Sequence, residues 1–223
     1  INGFLIMKIL IACEESQAVC IEFRKLGFEA YSCDIQECSG GHPEWHIQGD
    51  AIKEAYSGKY DMMIGHPPCT YLSYAGIRWF NVKKYHNIAI ERINKMNDAL
   101  NFFFKLWNAP IKHICLENPR GFVGTFLKPD QSIHPYYFGD EASKYTHLWL
   151  KNLPNLSHVK EDNLFDKKTH VFKGEMGKNG GAWQNTHEIL SAPKEIRSKL
   201  RSKTFPGIAK AMATQWGEYL NKL

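Results

Sequence analysis

The sequence predicts an α/β domain built on a Rossmann-like, doubly wound and mostly parallel sheet. Three observations lead there. Short apolar, β-rich runs alternate with stretches of helical period, the order that sets crossover helices between parallel strands. The chain has 223 residues, 43% of them hydrophobic, which is enough for one ordinary domain with a true core. Polar and acidic residues follow the apolar runs rather than precede them, as at the carboxyl ends of parallel strands, where such sheets bind ligands.

Met7 to Cys13 (MKILIAC) reads as a buried first strand, with Met7 as the natural start and Ile1 to Ile6 upstream of it. Ser16 reads as the N-cap of a helix over Gln17 to Leu26, in which Val19, Phe23 and Leu26 share a face and which Gly27 ends. Glu29 to Cys33 is the second strand, closed by Asp34, and a Gly-, Ser- and Pro-rich loop runs from Ile35 to Glu44. Trp45 to Gln48 reads as a third strand closed by Gly49-Asp50, with a short helix at Ile52 to Tyr56. Tyr60 to Ile64 is the next buried strand and runs into Gly65-His66-Pro67-Pro68-Cys69. Asn87 to Leu106 is a long amphipathic helix, with Ile90, Ile93, Met96, Leu100, Phe103 and Leu106 near a helical period. His113 to Leu116 is a fifth strand ending in Glu117-Asn118-Pro119. Ser132 to Phe138 and Tyr145 to Lys151 read as an antiparallel edge, and Ile208 to Leu220 as a final helix. Residues 7–153 thus form the core and 154–193 a small irregular lobe rich in Lys, His, Asn and Gly. Residues 194–223 return to the core by a helix.

Lys and Arg number 28 against 23 Asp and Glu, a net charge of +5 that permits a polyanionic partner without requiring one. No apolar run approaches the ~20 residues that cross a bilayer, so no membrane partner is expected. Several of the six cysteines (13, 20, 33, 38, 69 and 115) sit in apolar runs, as buried free thiols do. A chain of this length does not need disulfides, which suits a reducing cytoplasm.

Three strand ends carry candidate chemistry. Two prolines stiffen the turn before Cys69, and a rigid thiol at the ligand crevice suits nucleophilic catalysis, although a small residue packed in a tight turn would look the same. Glu117, beside Asn118, can donate to or accept from a ring nitrogen and an amino group, as on the pairing edge of cytosine. Partial burial is expected to favour its protonated form. Asp34 can accept from both ribose hydroxyls of a nucleoside cofactor and Asp50 from an adenine amino group, although turn or cap roles are common for each. Cys33, Cys38, His42 and His46 resemble a zinc quartet. Their middle spacer is too short for a usual finger and Asp34 sits inside the set, so no metal is expected.

Gly65-His66-Pro67-Pro68-Cys69 resembles the Gly-Pro-Pro-Cys-Gln motif of the DNA cytosine-5 methyltransferases, and Glu117-Asn118-Pro119 resembles their Glu-Asn-Val. The chain is most similar to short phage and prophage proteins of that type. These share His66 to Thr70, Glu117 to Pro119, Leu148 to Pro154 and Thr204 to Ala209, from Met7 to Gly217 in all. The resemblance implies a methyltransferase-type core that uses S-adenosylmethionine to methylate carbon 5 of cytosine in DNA, single-stranded or with the base flipped. Cys69 would attack carbon 6. Glu117, with Asn118, would hold ring nitrogen 3 and the amino group, and Lys144 stands where the family has an Arg that steadies base and thiolate. Asp34 would hold the cofactor ribose and Asp50 its adenine. Cys13, Glu14 and Ser16 would lie at its methionine end and Pro67 beside it. Lys83, Lys84, Arg120, Lys128, Lys167, Lys168, Lys173 and Lys178 are candidate phosphate contacts.

The sequence departs from the family in three ways. Ala12-Cys13-Glu14-Glu15-Ser16 stands for Phe-x-Gly-x-Gly, Thr70 replaces the Gln after the nucleophile, and 154–193 is a reduced target-recognition lobe. Pyrimidine modification at the nucleotide level or with a non-methyl group, and a catalytically inactive methyltransferase-like DNA-binding protein, remain open alternatives. An amino-methyltransferase fits less well, because His66 and Cys69 replace its amino acceptor and its stacking aromatic.

Overall fold

The computed structural model describes residues 7–140, 142–158, 193 and 202–223. Among them seven strands form one open sheet: β1 (Lys8–Ala12), β2 (Glu29–Asp34), β3 (His46–Gln48), β4 (Met62–Gly65), β5 (His113–Pro119), β6 (Gln131–Ile133) and β7 (Thr146–Lys151). Their spatial order is β3-β2-β1-β4-β5-β7-β6. The first five strands pair in parallel, and β7 runs antiparallel between β5 and β6. This is the Rossmann-like, mostly parallel sheet that the sequence predicts.

Helices cover both faces: α1 (Ala18–Lys25), α2 (Ala51–Ala55), α3 (Val82–Trp107), α4 (Val123–Phe126) and α5 (Pro206–Leu220). Pleating sends alternate strand residues to opposite sides. Ile9, Ile11, Met62, Ile64 and Cys115 meet Val19 and Phe23 of α1 and Met212 and Trp216 of α5. Leu10, Met63, Ile114, Leu116 and Trp149 meet α2 and the Leu100, Phe103 and Leu106 stripe of α3. Every strand residue in these two groups is fully buried. Burial on both faces is why β1 and β4 read as continuous apolar runs rather than alternating ones.

Several boundaries differ from the sequence expectation, each for a local reason. Ser16 is not the cap of α1. The residue before the helix is Gln17, in left-handed backbone with φ 57°. The Glu14 carboxylate takes the capping role, accepting from Val19 N (2.7 Å) and Cys20 N (3.2 Å). An anion there also meets the positive end of the helix dipole. The third strand starts at His46, because Pro43–Trp45 forms a 3-10 turn. The predicted strand over Ser132 to Phe138 keeps only β6. Pro135 has no N–H for a ladder, and Pro135–Phe138 winds into a 3-10 turn closed by Gly139 at φ 91°.

Two further differences bear on function. α3 begins at Val82 and breaks at His86 (φ 43°, ψ −120°), so its regular part is the predicted stretch from Asn87. Near its start Ala89 is buried while Ile88 is 60% and Ile90 48% exposed, so Ile90 does not join the buried stripe the sequence predicts. β5 continues beyond the predicted end. β4 stops at Gly65, paired with Leu116, while β7 goes on to pair Leu148, His147 and Thr146 with Glu117, Asn118 and Pro119. Glu117 and Asn118 therefore lie inside a strand, not after one.

The lobe at 154–193 lies almost wholly outside the described residues, as do Lys167, Lys168, Lys173 and Lys178. Among the described residues no helix is long and apolar enough to cross a membrane.

The loop after β4 is stitched to the chain after β5. Phe122 N–H donates to Leu72 O (2.7 Å), and Ser73 bridges Gly121. A Cβ on Gly121 would sit 1.9 Å from that same backbone oxygen. Gly121→Ala is therefore expected to cost about 1–3 kcal/mol, as overpacking does. Urea unfolding measures this, and an unchanged midpoint would contradict the close approach.

Candidate active site

The site forms where β5 outruns β4. The chain leaves β4 at His66, whose backbone N–H donates to Ala12 O (2.9 Å) and pins the turn to the end of β1. Pro67 is buried, and its carbonyl accepts from Asn118 Nδ2 (2.8 Å). Asn118 is 1% exposed. Its amide thus braces the Pro67-Pro68 turn rather than facing the crevice. Cys69 emerges from that turn exposed, and its carbonyl accepts from Leu72 N (3.1 Å) and Ser73 N (2.9 Å). Two prolines before it and a closed turn after it leave the thiol little freedom.

Glu117 points into the gap that β4 vacates. Its Oε2 lies 3.1 Å from His66 Nδ1, and its Oε1 3.9 Å from Lys144 Nζ. Burial acts to raise its pKa, but Lys144, the His66 ring and a hydrogen bond from Thr146 outweigh burial and hold it at about 2. The sequence reading expected burial to favour the protonated form. The cationic flank reverses that expectation, and the carboxyl is ionised. A carboxylate only accepts, so His66 Nδ1 carries the proton and donates it. The His66 side chain is 9% exposed, and its Nε2 has no hydrogen-bond partner among the described residues.

Surrounding protein desolvates the Cys69 sulfur and raises its pKa, Lys144 lowers it, and Glu117 raises it again. The resting group is therefore a thiol, and Lys144 is the positive charge shared by thiol and carboxylate. Glu117 and Lys144 form an ion pair at 3.9 Å, and both act on the Cys69 thiol.

A second group gathers at the ends of β1, β2 and β3. Cys13 leaves β1 in left-handed backbone (φ 61°), and its N–H donates to Cys33 O (2.7 Å). Burial pushes its thiol pKa up, and Asp34, Cys33 and Asp50 push it further. Asp34 Oδ1 accepts from Gln36 N (2.9 Å), and Asp50 Oδ1 caps α2 through Ile52 N (2.8 Å). Ser16 is half-buried, its carbonyl 2.6 Å from where a Cβ on Gly40 would lie. Glu14 is 4% exposed and committed to α1. Burial raises its pKa, while His66 and the helix N–H groups lower it. His66 therefore interacts with the carboxylates of both strand-end groups.

Three of the four residues resembling a zinc quartet are engaged separately. His46 meets Ser32 Oγ (2.8 Å) and Gln36 O (2.9 Å), His42 stacks on Trp45 (3.9 Å), and Cys33 Sγ donates to Gly49 O (3.8 Å). Among the described residues no three His, Cys, Asp or Glu side chains form a metal-holding group. Lys83, Lys84, Arg120 and Lys128 are exposed.

Sequence reasoning gave no role to His66 or Thr146. For His66 the available signal was a ring-bearing residue at a strand end directly before two prolines. Thr146 carried none, because it reaches Glu117 only through the β5–β7 register.

No family model and no curated protein matches the chain. Among solved structures it is similar to a candidate DNA modification methyltransferase encoded within an E. coli prophage, at 12% identity and a TM-score of 0.40. The match covers 65% of this chain and 46% of that one, less than half of that protein's length.

The depressed pKa of Glu117 links stability to pH. The group titrates at its ordinary 4.5 when unfolded and at about 2 when folded. Its contribution is present above 4.5 and lost as pH falls toward 2. Urea midpoints of the wild type should fall more steeply between about pH 5 and about pH 2.5 than those of Glu117→Gln. Parallel curves would contradict the ion-paired carboxylate.

Proposed function

We propose that the protein is a DNA cytosine-5 methyltransferase that uses S-adenosylmethionine and works through a covalent adduct on Cys69. One observation carries this reading. Glu117 pairs with Lys144 (3.9 Å), and both charges bear on Cys69, which leaves the neighbouring strand β4 beside the crevice where the sheet reverses its winding.

The strand ends next to that crevice suit a nucleoside cofactor. The turn out of β1 is made without the family's glycines, because Cys13 (φ 61°) and Gln17 (φ 57°) adopt left-handed backbone themselves. Asp34 would hold the ribose and Asp50 the adenine amino group. The backbone at Cys13 and Ser16, with Pro67 beside it, would line the methionine end, and Glu14 acts one step back by fixing α1. Bound there, S-adenosylmethionine supplies an electrophilic methyl group.

This chain's own residues do the rest. The exposed Cys69 thiol gives its proton to solvent water, and the sulfur, paired with Lys144, bonds to carbon 6 of the cytosine. The C5–C6 pair moves to C4–C5, the C4–N3 pair moves onto nitrogen 3, and nitrogen 3 takes up a proton from water. Glu117, already ionised, accepts from the exocyclic amino group. His66 Nδ1–H donates to Glu117 Oε2 in the resting site and holds the carboxylate in place. Carbon 5 is now enamine-like and nucleophilic toward the methyl group. Loss of its proton to a base then re-forms the C5–C6 double bond, the carbon–sulfur pair returns to Cys69, and nitrogen 3 releases its proton.

Mass spectrometry of nucleosides from treated DNA tests the reading. It should find 5-methyldeoxycytidine only when protein and cofactor are both present. Cys69→Ala should abolish the product, and Glu117→Gln should lower the rate about 10²–10³-fold, as loss of a charged transition-state contact does. Full activity in Cys69→Ala would remove the mechanism. Asp34→Ala should weaken cofactor binding about 10- to 100-fold in a calorimetric titration, the range for a hydrogen bond to a charged group. Unchanged affinity would refute the ribose assignment.

A further inference from the structure

The segment between Thr70 and Lys95 carries more aromatic and cationic surface than folding needs. Its aromatic residues are Tyr71, Tyr74, Trp79, Phe80 and Tyr85, and its cations Arg78, Lys83, Lys84, Arg92 and Lys95. The one acid among them, Glu91, pairs with Lys95. The cations lie over the rings: Arg78 is 4.9 Å from the Trp79 centroid, Lys84 5.4 Å from Tyr85, and Arg92 5.1 Å from both Tyr71 and Phe80. Trp79 and Tyr85 are 4.7 Å apart. A depression of about 220 Å³ opens among Tyr71, Trp79, Ile88, Arg92, Lys95 and the Lys95-paired Glu91. Arg92 Nε is buried there with no hydrogen-bond partner among the described residues.

This surface is joined to the candidate active site. Arg92 Nη2 donates to Thr70 O (3.1 Å), next in the chain to Cys69. Tyr74 N–H donates to Arg120 O (3.3 Å), just beyond β5, and the Tyr74 and Phe80 rings pack on Phe122.

We infer that this surface binds single-stranded DNA, stacking unpaired bases beside the target cytosine on Trp79 and Tyr85 and gripping phosphates with Arg78, Lys83 and Lys84. The charge balance selects a polyanion. The rings are half-buried and keep part of their surface open. Such rings select unpaired bases, because a duplex hides base faces inside its stack whereas single strands bind through rings set in a basic groove. An unpaired target also spares the protein the few kcal/mol of pulling a cytosine out of a duplex. The inference deepens the proposed function and rests on it only for what happens to the bound base.

Binding is tested on full-length Cys69→Ala protein without cofactor, so that turnover plays no part. Fluorescence anisotropy compares a labelled oligodeoxynucleotide of roughly 12 nucleotides with its duplex and with RNA of the same sequence. The single DNA strand should bind at least about tenfold tighter than either and should quench tryptophan fluorescence. Adding Trp79→Ala, or separately Tyr85→Ala, should weaken single-strand binding about 5- to 100-fold, the range for one stacked base. Removing both Lys83 and Lys84 should lower the salt slope by about 0.7 per lost phosphate contact. Duplex or RNA binding as tight as the single strand would overturn the inference. So would unchanged affinity in both ring variants, given unfolding midpoints equal to the parent's. If these results hold but the wild type makes no methylated cytosine, the binding surface stands and the methyl-transfer reading falls.

Discussion

The site depends on one mismatch in strand length. β4 ends at Gly65, while antiparallel pairing with β7 carries β5 on through Pro119. A strand edge that loses its neighbour on one side and keeps it on the other presents a side chain, Glu117, to the vacated space without giving up its backbone register. The chain departing from β4 then has to turn sharply. Pro67 and Pro68 set that turn, and Asn118, the next residue along β5, fastens it from the other side. The thiol and the carboxylate are thus positioned by the same joint, and Gly121 closes it by letting two backbones touch.

Electrostatics then gives the two groups different characters. Burial alone would neutralise Glu117, yet His66 and Lys144 keep it ionised. Cys69, partly desolvated and under the influence of that negative charge, stays a thiol, with Lys144 acting to lower its pKa. A site at rest with an ionised acceptor and a protonated nucleophile is poised for an incoming ring that brings donors to the first and an electrophilic carbon to the second. His66 occupies the place where the family resembled in the sequence has glycine. Its hydrogen bond to the carboxylate is a feature of this chain.

The sheet could be read from the sequence because β1, β2, β4 and the start of β5 are short apolar runs each followed by a polar residue, and burial on both faces leaves no other use for such runs. Cys69 was visible through its prolines and Gly27 through its position after an apolar stripe. The register of β7 was not visible. Nothing local in Thr146-His147-Leu148 says that they lie against Glu117 to Pro119, so neither the true length of β5 nor the role of Thr146 could be deduced. The ionisation of Glu117 was misread for the same reason, since burial is local in a sequence pattern and a cation 27 residues away is not. Glu14 shows the reverse case. It was placed at the cofactor's methionine end, and its carboxylate holds the N-terminus of α1.

The most direct measurement of the central claim is the intact mass of the protein after incubation with S-adenosylmethionine and an oligonucleotide carrying 5-fluorodeoxycytidine. Fluorine at carbon 5 cannot leave as a proton does, so elimination stalls with the sulfur still attached. The account predicts a denaturation-resistant complex of protein and oligonucleotide, mapped by peptide analysis to Cys69 and absent in Cys69→Ala. An unmodified wild-type mass, or an adduct on any of the other five cysteines, would contradict it.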